Sequence, residues 1–194
     1  MSKLVMIEFS TVDGVMQGLG SPEEDTTGGF AHGGWGARFA TAMPEVVDPS
    51  GLAHTSSYLF GRRTFEKLAA FWPLQPSDNP VAAHLNATPK YVVSRTLTKA
   101  SWSGTRIIST ELTAAVRELK KRTEGDIAVL GSGELTRQLL AHRLVDEIRL
   151  FVHPLLLGAG KRLFGEQPAP QGLELRSVGQ TSLGTVALVY GFTE

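Results

Sequence analysis

The sequence predicts an α/β fold whose mixed, mostly parallel sheet carries helices on both faces and closes in a C-terminal antiparallel hairpin. Three observations predict it. Short apolar strands alternate with amphipathic helices between residues 58 and 152. A glycine stands at two places where a strand gives way to a helix, Gly61 and Gly131. The end of the chain holds two strand patterns separated by Leu183-Gly184.

Taken in order, Leu4 to Phe9 reads as a buried strand, closed by the turn-forming pair Asp13-Gly14, and belongs centrally in the sheet. From Gly18 to about Gly51 glycines alternate with Phe30, His32, Trp35 and Phe39, a pattern that suits a functional loop, with a short helix near Trp35 to Met43. Tyr58-Leu59-Phe60 is a strand broken by Gly61, and Arg62 to Phe71 is a helix ended by Pro73. Leu74 to Pro89 holds Pro76, Pro80 and Pro89 with Asp78-Asn79 and reads as a turn-rich connector. Lys90 to Ser94 and Arg106 to Ile108 are strands. Thr110 to Arg122 is the clearest helix: Leu112, Ala115, Val116 and Leu119 share one face, Ser109 or Thr110 serves as cap, and Gly125 follows as a stop. Asp126 to Leu130 is a strand running into Gly131-Ser132-Gly133 and a helix through Leu135, Leu139 and Leu140. Val145 to Val152, Leu173 to Gln180 and Thr185 to Phe192 complete the strands. No internal repeat is present.

At 194 residues the chain suits one domain, spanning 1–194, with a Gly-rich insertion at about 18–51. Its formal charge is zero, and the densest basic run, Lys120-Lys121-Arg122, sits at a helix end where cations complement the dipole, so nucleic acid is not an expected partner. Cysteine is absent, which excludes a disulfide scaffold, a thiolate nucleophile and Cys-ligated metal. The apolar run at the N-terminus is interrupted by Glu8 and Asp13, too soon for a signal peptide, and no stretch approaches the roughly 18 apolar residues of a membrane span. A cytoplasmic protein without membrane partners is the expectation.

Familiar nucleotide motifs fail. Gly158-Ala159-Gly160-Lys161 lacks the glycine at position 155 and the Ser or Thr at 162 that a P-loop needs, and Gly131-Ser132-Gly133 lacks the third glycine of the dinucleotide fingerprint. What remains are Gly61 and Gly131, each at a junction that offers free backbone N–H groups and a positive dipole end to an anion. Arg62, Arg63 and Thr64 follow the first, and Ser94-Arg95-Thr96 follows the next strand: two guanidinium clusters suited to phosphate. For either cluster alone, a solvated helix start or an ordinary turn is the competing interpretation. Together they point to a phosphorylated cofactor.

Five segments occur in a recognisable order: 9–14 (FSTVDG), 59–66 (LFGRRTFE), 90–97 (KYVVSRTL), 129–133 (VLGSG), and Asp146-Glu147 leading through Pro154 to 157–164 (LGAGKRLF). In this the chain resembles the dihydrofolate-reductase-like superfamily, a three-layer α/β/α fold, and most closely the branch of the C-terminal reductase domain of the bifunctional riboflavin-biosynthesis deaminase-reductase, as a stand-alone member. The resemblance implies NADPH as cofactor. It implies that Gly61, Arg62, Arg63 and Thr64 hold the pyrophosphate and 2′-phosphate, that Ser94 and Arg95 add to the 2′-phosphate site, and that Leu130, Gly131, Ser132, Gly133 and Glu134 lie against pyrophosphate and nicotinamide. Ser132 departs from folate reductases, where a second adjacent glycine is usual, so a cis peptide there is not assumed.

The resemblance also makes Asp13 the candidate proton donor, an acidic turn residue being the alternative, and it offers Trp35 and Phe39 as stacking partners for a flat heterocycle, against the alternative of a loop anchored in the core by Trp35. The carboxylate that folate reductases set against the pteridine has no counterpart, which speaks against folate reduction. The histidines His54, His84, His142 and His153 show no metal spacing, and no metal is expected. The implied activity is NADPH-dependent reduction of a small heterocyclic or carbonyl substrate, with 5-amino-6-(5-phosphoribosylamino)uracil reduction in riboflavin biosynthesis as one candidate. The alternative is a non-catalytic NADP(H)-binding protein for sensing or assembly. Pairing of the C-terminal strands into a homodimer is expected.

Overall fold

The computed structural model describes residues 2–47, 49–165 and 168–193; Asp48, inside the expected 18–51 insertion, falls outside them. Among these, eight strands form, β1 (Leu4–Thr11), β2 (Thr55–Gly61), β3 (Lys90–Val93), β4 (Thr105–Ile108), β5 (Asp126–Leu130), β6 (Glu147–His153), β7 (Leu173–Gln180) and β8 (Val186–Phe192), with five α-helices, α1 (Pro49–His54), α2 (Arg62–Phe71), α3 (Pro80–Ala87), α4 (Leu112–Arg122) and α5 (Gly133–Ala141). The sheet order is β4-β3-β2-β5-β1-β6-β8-β7. By contact density the chain resolves into two compact units, Met1–Met6 with Pro49–Asp146 and Ile7–Asp48 with Glu147–Glu194, so β1 contributes residues to each.

The first unit is built on parallel strands. β2 pairs with β3 on one side and β5 on the other, and β4 lies outside β3, all parallel. Their apolar runs are covered on both faces, as such a sheet requires: Leu59, Phe60, Val92, Ile127 and Val129 are fully buried, as are Val116 of α4 and Leu139 of α5. α2 follows β2 without a loop, buries Phe65, and ends just before Pro73.

Two expectations need correction here. The segment 74–89 is more than a connector, because Pro80 occupies the first turn of α3, behind Asn79, whose side-chain oxygen accepts from Val81 N and Ala82 N. Proline breaks helix interiors but suits the first turn, where its missing N–H has no partner to lose. The cap of α4 is Glu111 rather than Ser109 or Thr110; its carboxylate accepts from Thr113 N at 2.7 Å and Ala114 N at 2.7 Å.

α3 ends on an unusual cap. Lys90, the first residue of β3, is buried and sends its ammonium back to Leu85 O at 2.8 Å, Asn86 O at 3.2 Å and Thr88 O at 2.7 Å, with the Trp102 ring 4.7 Å away. One side chain thereby satisfies three carbonyls at the helix end and complements its negative pole.

The second unit holds the antiparallel part: β6 pairs with β8 and β8 with β7, the hairpin that the sequence predicts. Its Gly-rich stretch is a packed structure. The short helix expected near Trp35 to Met43 is a 3-10 helix over Ala37–Glu45, with Pro44 inside it. Gly34 N donates to Gly18 O and Gly36 N to Leu19 O, drawing residues 33–36 against 18–22. The approach is too close for a side chain at Gly33, where a Cβ would lie 2.5 Å from Pro22 O.

Candidate functional site

Parallel strands in register end together, and the ends of β2, β3 and β5 do so here. Gly61 lies opposite Val93, and Leu59 opposite Val129, so Arg62, Ser94 and Gly131 all emerge at the carboxyl edge of the first unit's strands. From β2 the chain winds outward to β3 and β4, then returns to place β5 on the other flank. That reversal is the topological switch point of an open parallel sheet, the place where such folds hold ligands.

At this point two helix starts converge. Gly61 precedes α2 and Ser132 precedes α5, and neither helix has a side-chain cap at its N-terminus, in contrast to α3 and α4. The corners touch: Gly61 N donates to Ser132 Oγ at 3.0 Å, and a Cβ on Gly131 would sit 3.5 Å from the Thr64 methyl. The unpaired first-turn N–H groups of both helices, with their positive dipole ends, therefore face one region. Gly131 (φ 64°) and Ser132 (φ 73°) are consecutive left-handed residues, making a tight turn out of β5.

Of the charged groups expected here, Arg62 and Arg63 are exposed on the first turn of α2, and Arg62 pairs with Glu66 at 3.0 Å. Arg95 is exposed beyond the end of β3. Ser94 is buried and its hydroxyl closes the turn that follows, accepting from Thr96 N and Leu97 N. Leu130 is half-buried at the end of β5, Gly133 opens α5, and Glu134 folds along that helix onto Arg137 and Gln138, the Arg137 guanidinium first among the groups lowering its pKa.

The remaining expected residues belong to the second unit. Asp13 accepts from Thr11 Oγ1 at 2.5 Å, Gly158 N at 2.8 Å and Leu157 N at 3.3 Å, and its own carbonyl receives the Arg162 guanidinium. The Thr11 hydroxyl, then the Gly158 and Leu157 amides, hold this carboxyl below its ordinary value. A group so placed is an anion that staples the β1 turn to the 155–162 loop, the opposite of what a proton donor needs. Trp35 and Phe39 are both buried. They enclose His153, with ring centroids at 5.4 and 4.8 Å, while Trp35 Nε1 donates to Gln17 O. This is the core-anchored loop rather than an open stacking face. A separate cavity opens beside Gly28, Gly29, His32 and Lys161.

The family profile described as the RibD C-terminal domain matches residues 2–189. The chain belongs to that family. Among solved structures, this RibD C-terminal domain is similar to a protein from Shewanella sp. PV-4 provisionally assigned to riboflavin biosynthesis, at 18% identity and a TM-score of 0.73 with both chains fully covered. It is also similar to a pyrimidine reductase-like protein from Corynebacterium diphtheriae, at 13% identity and a TM-score of 0.64, covering 100% of this chain and 92% of that one. Both likenesses concern the fold. An uncharacterized protein of Bacillus subtilis, YyaP, is 28% identical over 150 residues, 76% of this chain and 79% of the other.

Sequence reasoning missed two features of this RibD C-terminal domain. One is the bond between the corners, whose only trace in the sequence is a serine between Gly131 and Gly133. The other is His153, buried among Phe9, Trp35 and Phe39, with Nδ1 against Thr185 Oγ1 at 2.9 Å and Nε2 without a hydrogen-bond partner. Among the described residues no cluster of His, Asp or Glu could hold a metal, and no helix is long and apolar enough to cross a membrane.

Proposed function

We propose that this protein is an NADPH-dependent reductase of a small heterocyclic or carbonyl substrate, 5-amino-6-(5-phosphoribosylamino)uracil among the candidates. The observation that carries the proposal is the pair of uncapped helix starts meeting at the switch point, joined through Gly61 and Ser132. The residues present fit a dinucleotide: the first-turn amides of α2 and α5 suit a pyrophosphate, and Arg62, Arg63 and Arg95 suit the extra phosphate of the adenosine ribose. Bound there, NADPH would supply a hydride. The protein's part is to bind and orient it. Asp13 keeps the 155–162 loop in place, and the proton that neutralises the reduced substrate after hydride transfer comes from water.

Removing one charge-assisted phosphate contact costs roughly 1.5–3 kcal/mol, about a 10- to 100-fold change in affinity. Arg62→Ala is therefore expected to weaken NADPH binding by about that factor, followed by cofactor fluorescence, while NADH changes little. Equal losses for both would remove the 2′-phosphate assignment.

A second reading, binding without turnover, draws support from the saturated Asp13 carboxylate. Steady NADPH oxidation with an aminopyrimidine ribotide or a panel of carbonyls separates the two. The proposal includes a homodimer paired along the β7 edge, where Leu173, Leu175 and Val178 are exposed. Sedimentation velocity is expected to show twice the chain mass, and a monomer at micromolar concentration rejects that part.

A further inference from the structure

We propose that Ser132 is a positioning residue for the dinucleotide: its hydroxyl locks the α2 corner to the α5 corner, and its left-handed backbone is the cost of that lock. The inference rests on the reading of this corner as an NADPH site.

Ser132 lies at φ 73° and ψ 49°, directly after Gly131 at φ 64°. A residue with a Cβ held in this region is strained, which glycine would not be and which Asn tolerates better than serine. Serine is therefore a poor choice for the turn itself, and its side chain must return something. That side chain is mostly buried and accepts from Gly61 N, 71 positions earlier in the chain. From behind, the turn is fixed independently: Thr136 N donates to Ser132 O at 2.9 Å and Thr136 Oγ1 lies 3.4 Å from Gly131 O. The hydroxyl is thus free of any duty in building α5 and serves only to reach the other corner.

The electrostatics explain why such a bond is needed. Each helix start carries about half a positive charge, and two like poles brought together repel until an anion lies between them. A hydrogen bond from one corner to the other holds the poles at a fixed spacing before the anion arrives, so binding pays less to order them. Because Gly61 N is engaged, the amides left for a pyrophosphate are those of Arg62 to Thr64 and of Gly133 to Leu135.

The test compares Ser132→Gly, Ser132→Ala and Ser132→Asn. Gly relieves the strain and removes the bond, Ala removes the bond alone, and Asn suits the left-handed turn while keeping an acceptor oxygen. We expect Ser132→Gly to melt no lower than the parent yet bind NADPH about 10-fold more weakly, the loss of roughly one hydrogen bond of preorganisation. Ser132→Ala should lose a similar factor, and Ser132→Asn should return to within about threefold of the parent. Hydrogen exchange without cofactor supplies an independent readout: the Gly61 amide should lose protection in the Gly and Ala variants and keep it in Asn. A purely structural serine would make affinity follow melting temperature across the set. Parent-like NADPH binding by Ser132→Gly, or an equally protected Gly61 amide in every variant, overturns this inference alone. A parent protein that binds no NADPH overturns the functional reading and this inference with it.

Discussion

Replacing Lys90 with methionine is expected to destabilise the protein by about 3 kcal/mol, a drop of roughly 6–12 °C in Tm for a chain of this size. Methionine preserves most of the volume, so the loss isolates the ammonium. Without it, the carbonyls of Leu85, Asn86 and Thr88 lose a donor that lies within 2.7–3.2 Å of each. Burial pushes the Lys90 pKa down to about 8, so the group is still mostly charged at neutral pH. The three carbonyls and the Trp102 ring stabilise that charged form. Unchanged melting would mean that the end of α3 finds other donors, and that the buried charge contributes nothing net.

Acidification from pH 6.5 to 4.5 is expected to cost about 2 kcal/mol through His153 alone. Burial pushes its pKa down to about 4, while in the unfolded chain it titrates near 6.5. Between these values the unfolded chain binds a proton that the native protein refuses. Stability is therefore complete above about 6.5, falls as pH drops, and reaches its new level near 4. The physical reason is the enclosure by Phe9, Trp35 and Phe39, which leaves a charged ring without water. Urea midpoints of the parent and of His153→Gln at pH 7, 5.5 and 4.5 give the comparison. The parent should lose clearly more stability across this range than the variant, whose smaller loss comes from carboxyls such as Glu134 that the fold holds below their ordinary values. Parallel curves would show that His153 takes its proton without penalty.

How much of this was legible in the sequence differs by element. All eight strands could be read, most because each is a short apolar run with a glycine, proline or acidic turn close by, and β7 from the alternation in Leu173 to Gln180. The two β-Gly-α corners were visible for the same reason. α3 was hidden because Pro76, Pro80 and Pro89 look like breakers unless Asn79 is recognised as a cap one residue ahead of Pro80. The cap of α4 was misplaced because Ser and Thr are stronger cap signals than Glu, yet Glu111 reaches two amides at once. The aromatic enclosure of His153 depends on positions 9, 35 and 39, too far apart for any local period to reveal. For Asp13 the residue was noticed, but besides the nearby Thr11 hydroxyl its carboxylate accepts from two amides of a loop 144 and 145 positions away.

The membership of β1 in both units sets a constraint on synthesis. Residues 2–6 are made well before the rest of their unit, which extends to Asp146, and the amide that bonds Lys3 O belongs to Ile127. Leu4, Val5 and Met6, all buried in the finished protein, must therefore wait through more than a hundred further residues for their neighbour. An apolar strand exposed for that long invites aggregation, and its pairing, a contact of high sequence separation, carries a loop-closure cost that must be met before the contact forms.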